Sequence, residues 1–144
     1  MATKPKIYKS EKDVKAQIKK LLIDRNWFIW MPPANGFGKV GISDVHALCN
    51  GVFMAVEAKF GGNKPSPHQK AFLESVIACT AFGVVVDETT IGVFETFLDV
   101  LDKSHANVLA SLNAGESEKT TDVDGAALLD AIRILTAPIV AGKG

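Results

Sequence analysis

The sequence predicts an α/β protein: a mixed central sheet flanked by helices, in the order helix, three strands, helix, strand, with a helical extension at the C-terminus. Three observations predict it. Asn50-Gly51 divides two β-prone runs, the strongest short-range signal for a hairpin with a two-residue turn of the mirror-image type. Residues 83–87, Gly-Val-Val-Val-Asp, form an apolar run suited to an internal strand parallel to its neighbour. Apolar residues at helical spacing mark the segments before and between these strands.

A chain of 144 residues suits one compact domain with an appendage. The boundary falls near residue 102: residues 1–102 hold the strands, and 103–144 read as a linker and terminal helix that docks on the body or on a second subunit. The composition, 47% hydrophobic and 22% charged, is that of an ordinary soluble globular protein. No apolar run approaches the ~20 residues of a membrane span, and residues 1–6 lead into a charged segment, unlike a signal peptide. Cys49 and Cys79 lie in apolar contexts and read as buried free thiols of a reducing compartment, too few for a zinc site without histidine. Net charge is zero, yet residues 1–70 carry 12 Lys/Arg against 5 Asp/Glu (+7), and residues 71–144 carry 4 against 11 (−7). A basic first part suits a polyanionic substrate; a plain dipolar surface is the blander reading of the same counts.

Residues 1–9 form a basic arm. Ser10 is a helix N-cap with Asp13 as a variant of the capping box, and the helix runs to about Arg25 with Val14, Ile18, Leu21 and Leu22 inward. Glu11, three positions before Val14, points toward the inner face; it serves either the helix dipole or chemistry. Residues 27–31 read as a short buried strand stopped by Pro32 and Pro33. A Gly-rich loop follows, in which Asn35, Gly36, Gly38 and Lys39 can approach a phosphate, although the P-loop spacing is absent.

The hairpin carries the chemistry. With Asn50 and Gly51 in the turn, paired positions sum to 101, which sets Asp44 across from Glu57. Side chains alternate between faces. Val45, Ala47, Cys49, Val52, Met54 and Val56 share an apolar face that belongs on a core; Asp44, His46, Leu48, Phe53, Ala55, Glu57 and Lys59 share the other. Directly opposed Cβ atoms are about 4.5–5.5 Å apart, and like charges there destabilise. Two acids so placed, beside apolar neighbours, call for something positive between them, and a divalent cation is the obvious candidate. The plainer alternative is two solvated acids with Lys59 as a surface partner of little worth.

Beyond Lys59, residues 60–66 form another loop, in which Lys64 is a further candidate contact for nucleic acid. Ser66 caps a helix with Pro67 at its first position, running to about Thr80, with Phe72, Leu73, Val76 and Ile77 buried and Gln69 in the first turn near Lys59. After the strand at 83–87, Thr89 or Thr90 begins a helix through Asp102, with Ile91, Phe94, Phe97, Leu98 and Leu101 inward. Residues 103–124 are mostly polar, 115–122 resemble a linker, and 126–135 form a last helix.

This order resembles the core of the PD-(D/E)XK nuclease superfamily, a restriction-endonuclease-like αβββαβ fold. Gly41-x-Ser43-Asp44, then Val56-Glu57-Ala58-Lys59, then Ser66-Pro67-His68-Gln69 resemble its virus-type replication–repair (VRR-NUC) branch, over about residues 10–88. The resemblance implies that Asp44, Glu57 and the Ala58 carbonyl bind Mg²⁺ or Mn²⁺, with Glu11 acting through metal-bound water. It implies that Lys59 orients or deprotonates the attacking water, and that Gln69 positions Lys59 or the scissile phosphate. It further implies a homodimeric, cytoplasmic endodeoxyribonuclease of a bacterial or phage-infected cell, acting on branched DNA in replication, recombination or repair. Ser43 departs from the Pro common before the Asp. Oxygen ligands suit hard Mg²⁺ or Mn²⁺ rather than zinc. The rival from another class is a catalytically idle nucleic-acid-binding or subunit-interface module on the same fold; a third is an enzyme directed at RNA.

Overall fold

The computed structural model describes residues 5–33, 40–114 and 125–140, with 106–114 as backbone only. Helix α1 (Glu11–Asp24) is followed by β1 (Phe28–Trp30), β2 (Val45–Cys49) and β3 (Val52–Ala58), then α2 (Pro67–Ala78), β4 (Phe82–Val86), α3 (Ile91–Ala114) and α4 (Gly125–Val140). The strands form one mixed sheet in the order β1-β2-β3-β4: the first two pairings are antiparallel and the last is parallel.

The turn chemistry at Asn50-Gly51 sets the hairpin. Both residues adopt positive φ, 53° and 80°, as a mirror-image turn requires. Cys49 therefore faces Val52, and the ladder runs back through Val45↔Val56. Asp44 is the residue before Val45 and Glu57 the residue after Val56, so the two acids flank the last paired step. Val45, Ala47, Met54 and Val56 are fully buried on the inner face, where α1, α3 and α4 pack. Val14, Ile18, Leu21 and Leu22 supply α1's stripe, and Phe94, Phe97 and Leu98 supply α3's. Burying each such side chain stabilises by roughly 1.5–3 kcal/mol.

Helix starts follow local capping. Ser10 Oγ accepts from the Asp13 N–H at 3.2 Å, and Asp13 in turn accepts from the Lys9 N–H at 2.9 Å. At α3, Asp87 Oδ1 accepts from the N–H groups of Thr89 and Thr90, closing the turn out of β4. Arg25 joins α1 to α3 through Asp99, 2.9 Å away, and Glu95 at 3.4 Å.

Several expectations need correction. The strand at 27–31 is not buried throughout: Trp27 is, but Phe28 is 67% exposed, because β1 is an edge strand with no helix over its outer side among the described residues. β4 is parallel to β3 but not internal. It lies at the other edge, which α4 covers: Leu135 joins the inner core and Ile139 the outer one. On α2 only Leu73 is fully buried, Phe72 and Val76 are partly so, and Ile77 is exposed. Cys49 is half-buried and Cys79, at the α2 C-terminus, is exposed; both are free. α3 continues through 103–114, where a linker is expected from polarity, and α4 is longer than 126–135, passing through Pro138. Residues 115–124 lie outside the described residues. Among the described residues no helix is long and apolar enough to cross a membrane.

Candidate active site at the mouth of the hairpin

Three structural elements bring groups to the open end of the hairpin. Asp44 immediately precedes β2, Glu57 and Ala58 end β3, Lys59 follows, and Gln69 stands in the first turn of α2. The backbone reaches Asp44 through Gly41, whose φ is +79° and whose missing Cβ would fall 2.4 Å from the His68 backbone. Only glycine permits both that conformation and that approach. The loop before Asp44 is thereby pressed onto the start of α2, and Gln69 comes within reach of the acids.

Gln69 is fixed at three points. Ser66 Oγ accepts from the Gln69 N–H at 3.2 Å, and Gln69 Oε1 accepts from the Ser66 N–H at 2.8 Å, a reciprocal capping box. Its remaining amide group donates to Glu57 Oε1 at 2.6 Å. Lys59 Nζ approaches the same oxygen at 3.3 Å. Gln69 thus holds Glu57 rather than Lys59.

Glu57 is 1% exposed, and its second oxygen, Oε2, is buried with no hydrogen-bond partner among the described residues. Burial first, and the charge of Asp44 second, push its carboxyl up to about 7, against the pull of Lys59 and of an Asp44 backbone hydrogen bond. The two acids therefore act on one another across the hairpin. Asp44 is better served. Oδ2 accepts from the Ala58 N–H at 3.0 Å, and Oδ1 meets Lys15 Nζ at 2.6 Å. The N–H and C=O of one strand residue leave by the same edge, so the Ala58 carbonyl is turned toward Asp44 as well.

Lys15 is the participant that sequence reasoning missed. It lies one helical turn beyond Glu11, on the same flank of α1, so the position of Glu11 already carried the signal. Glu11 itself is half-buried and has no partner among the described residues. It does not complete a metal-ligating cluster: among the described residues no group of three or more His, Cys, Asp or Glu is placed to hold an ion.

His46, on the same face, is stacked on Phe72 and edge-on to Trp30 and Phe53, and burial pushes its imidazole pKa down. Ser43 is buried with its Oγ unpartnered among the described residues. Lys64 is exposed on the β3–α2 loop. Asn35, Gly36, Gly38 and Lys39 lie outside the described residues. A cavity of about 240 Å³ sits at the far, turn end of the hairpin, beside Trp27, Cys49, Asn50 and Leu101, and takes no part in this site.

The donor set suits a hard divalent cation. It offers a buried carboxylate oxygen without a partner, a second carboxylate beside it and a main-chain carbonyl turned the same way, all oxygen. Lys15 and Lys59 already offset the two acids in charge, so neutrality alone does not call for an ion. No protein-family model matches the sequence, and no curated protein is significantly similar to it.

Proposed function

We propose that this chain is a divalent-metal-dependent nuclease that hydrolyses DNA phosphodiester bonds, selective for branched structures and active as a homodimer. The observation that carries the reading is Glu57: a buried carboxylate held by Gln69 and Lys59 on one oxygen, with the other unpartnered beside Asp44. Leaving a buried polar atom unsatisfied costs roughly 1–3 kcal/mol, more for a charged group, and such cost is commonly retained where function uses it. The αβββαβ order and the Asp44, Glu57-x-Lys59 and Gln69 motifs support the same class.

Asp44, Glu57 and the Ala58 carbonyl would hold Mg²⁺ or Mn²⁺. When bound, the ion supplies Lewis-acid polarisation of a phosphoryl oxygen and a more acidic water. The chain's own residues do the rest. Gln69 fixes Glu57 through Oε1 and leaves Oε2 without a protein partner among the described residues, free to serve as a ligand. Lys59, 13% exposed at its side chain, sits where an ammonium offsets charge on the phosphate and orients the attacking water. Lys15 holds Asp44 through Oδ1 and yields when a stronger cation takes that oxygen. Glu11, one helical turn before Lys15 on α1, would bind through water.

One observation favours a second reading. Both oxygens of Asp44 are already engaged, as in a catalytically idle module whose acids form a closed ion-pair network. Cleavage of supercoiled plasmid and of a four-way junction, in Mg²⁺ or Mn²⁺ against EDTA, separates the two. Wild type cuts only with metal, and Asp44→Ala cuts at least about 100-fold more slowly. Equal cutting by the variant leaves the enzyme reading without its site. Matched RNA substrates decide the sugar preference.

A further inference from the structure

The acid-bearing face of the sheet carries a second feature. Trp30 pairs with His46 and Phe28 with Leu48 across β1 and β2, and Leu48 pairs with Phe53 across the hairpin. All of these share the face of Asp44 and Glu57. Their rings form a row: Phe28 to Trp30 at 5.7 Å between centroids, Trp30 to Phe53 at 6.0 Å and edge-on to His46 at 5.4 Å, then His46 stacked on Phe72 at 5.6 Å. The row begins on α2 and ends at the open edge of the sheet. There Phe28 is 67% exposed and Leu48 beside it 41%. α2 packs over the β3–β4 half of this face, around Ala55, Leu73 and Val85, and no element among the described residues covers the β1 half.

We propose that this aromatic row is a stacking platform for unpaired nucleobases, which lays the attached backbone across the Asp44–Glu57 site. The inference rests on the nuclease reading and names its substrate class: nucleic acid with unpaired nucleotides next to the scissile linkage. Three features point to a nucleotide. The side chain at position 46, which touches Trp30, is one same-face step from Asp44, roughly 7 Å along the strand, within the reach of a single nucleotide. Lys15 and Lys59, each paired with an acid, stand at the acid end of the row, and residues 1–70 as a whole carry a net +7, which suits phosphates. The exposed end is led by the Phe28 ring, and every base offers a π-face to such a ring, whatever the sequence. A base inside a duplex is already stacked on its neighbours. A second copy of this chain would bring the same lysine-bearing face against itself.

The test uses the full chain in EDTA, so that nothing is cut. The chain has two tryptophans, and Trp27 is buried, so quenching of fluorescence reports Trp30. Short oligo(dT) quenches saturably, and a blunt duplex of equal length binds more weakly with less quenching. Phe28→Ala, at an exposed edge position, weakens oligo(dT) roughly tenfold by anisotropy with an unchanged melting temperature; Phe28→Tyr retains affinity. Equal affinity of Phe28→Ala and wild type overturns the platform, as does equal quenching by duplex. A dimer that Phe28→Ala converts to monomer in sedimentation, with oligo(dT) affinity intact, assigns the face to a second copy and also overturns it. The two levels fail separately. Metal-dependent cutting that Asp44→Ala abolishes, with binding indifferent to Phe28, keeps the nuclease and removes the platform. Phe28-dependent binding by a protein that cuts nothing keeps the platform and removes the nuclease.

Discussion

At Glu57 a side chain that usually seeks water is packed between two strands and a helix, with its charge opposed by burial and by Asp44. Its ordinary value of 4.5 rises to about 7, and this has a consequence for stability. Below pH 4.5 the carboxyl is protonated in both the folded and the unfolded chain. Between 4.5 and 7 the unfolded chain ionises while the folded one keeps its proton, so ion-free stability falls as pH rises through that window, by up to about 3 kcal/mol. Above 7 both are ionised and the contribution is flat. Thermal melts in EDTA across this range show the slope in wild type, and Glu57→Gln removes it. A slope that survives the substitution assigns it to another group. The ladder from Cys49↔Val52 back to Val45↔Val56 was legible because a two-residue turn fixes the register arithmetically. The Lys15–Asp44 pair was not, since it joins residues 29 apart and depends on how α1 lies across the sheet.

Local chemistry made the secondary structure elements readable and hid their limits. Ser10, Ser66-Pro67 and Asn50-Gly51 each mark a boundary with a physical mechanism, and each boundary lies where they put it. Polarity alone hid the length of α3, since polar residues 103–105 continue the helix on its partly exposed face. α4 carries Pro138, a residue that usually argues for a stop, yet Ala131, Leu135 and Ile139 form a buried stripe that continues past it. That stripe covers the β4 edge, which would otherwise offer unpaired backbone groups to another chain. Leu135→Ala accordingly lowers unfolding stability by about 2–5 kcal/mol, measured by urea denaturation; a negligible change separates α4 from the body. Gly41→Ala drives a Cβ into the His68 backbone at a positive φ and costs about 2–4 kcal/mol. It also loosens the register between the Asp44 loop and α2, so metal-dependent cutting falls at temperatures where the variant remains folded. A variant with wild-type stability means that the loop does not press on α2.

Across the whole molecule, the sheet separates two jobs. Its inner face is a continuous apolar core under α1, α3 and α4, and its outer face is only half covered by α2. The acids and the aromatic row lie together on that outer side, all but Phe72 in the basic half of the chain. The fold class was readable because hairpin, parallel strand and helices are encoded locally. The open outer face was not, because burial at β1 depends on which helices reach the sheet edge. The account depends most on Glu57 Oε2 and Asp44 sharing a cation. Calorimetric titration of Mn²⁺ at pH 8 tests this most directly. Wild type binds one ion per site, Glu57→Gln binds at least about tenfold more weakly, and Lys15→Gln, lacking the competing ammonium, binds at least as tightly as wild type. Wild type that takes up no ion, or Glu57→Gln that binds it equally well, contradicts the account.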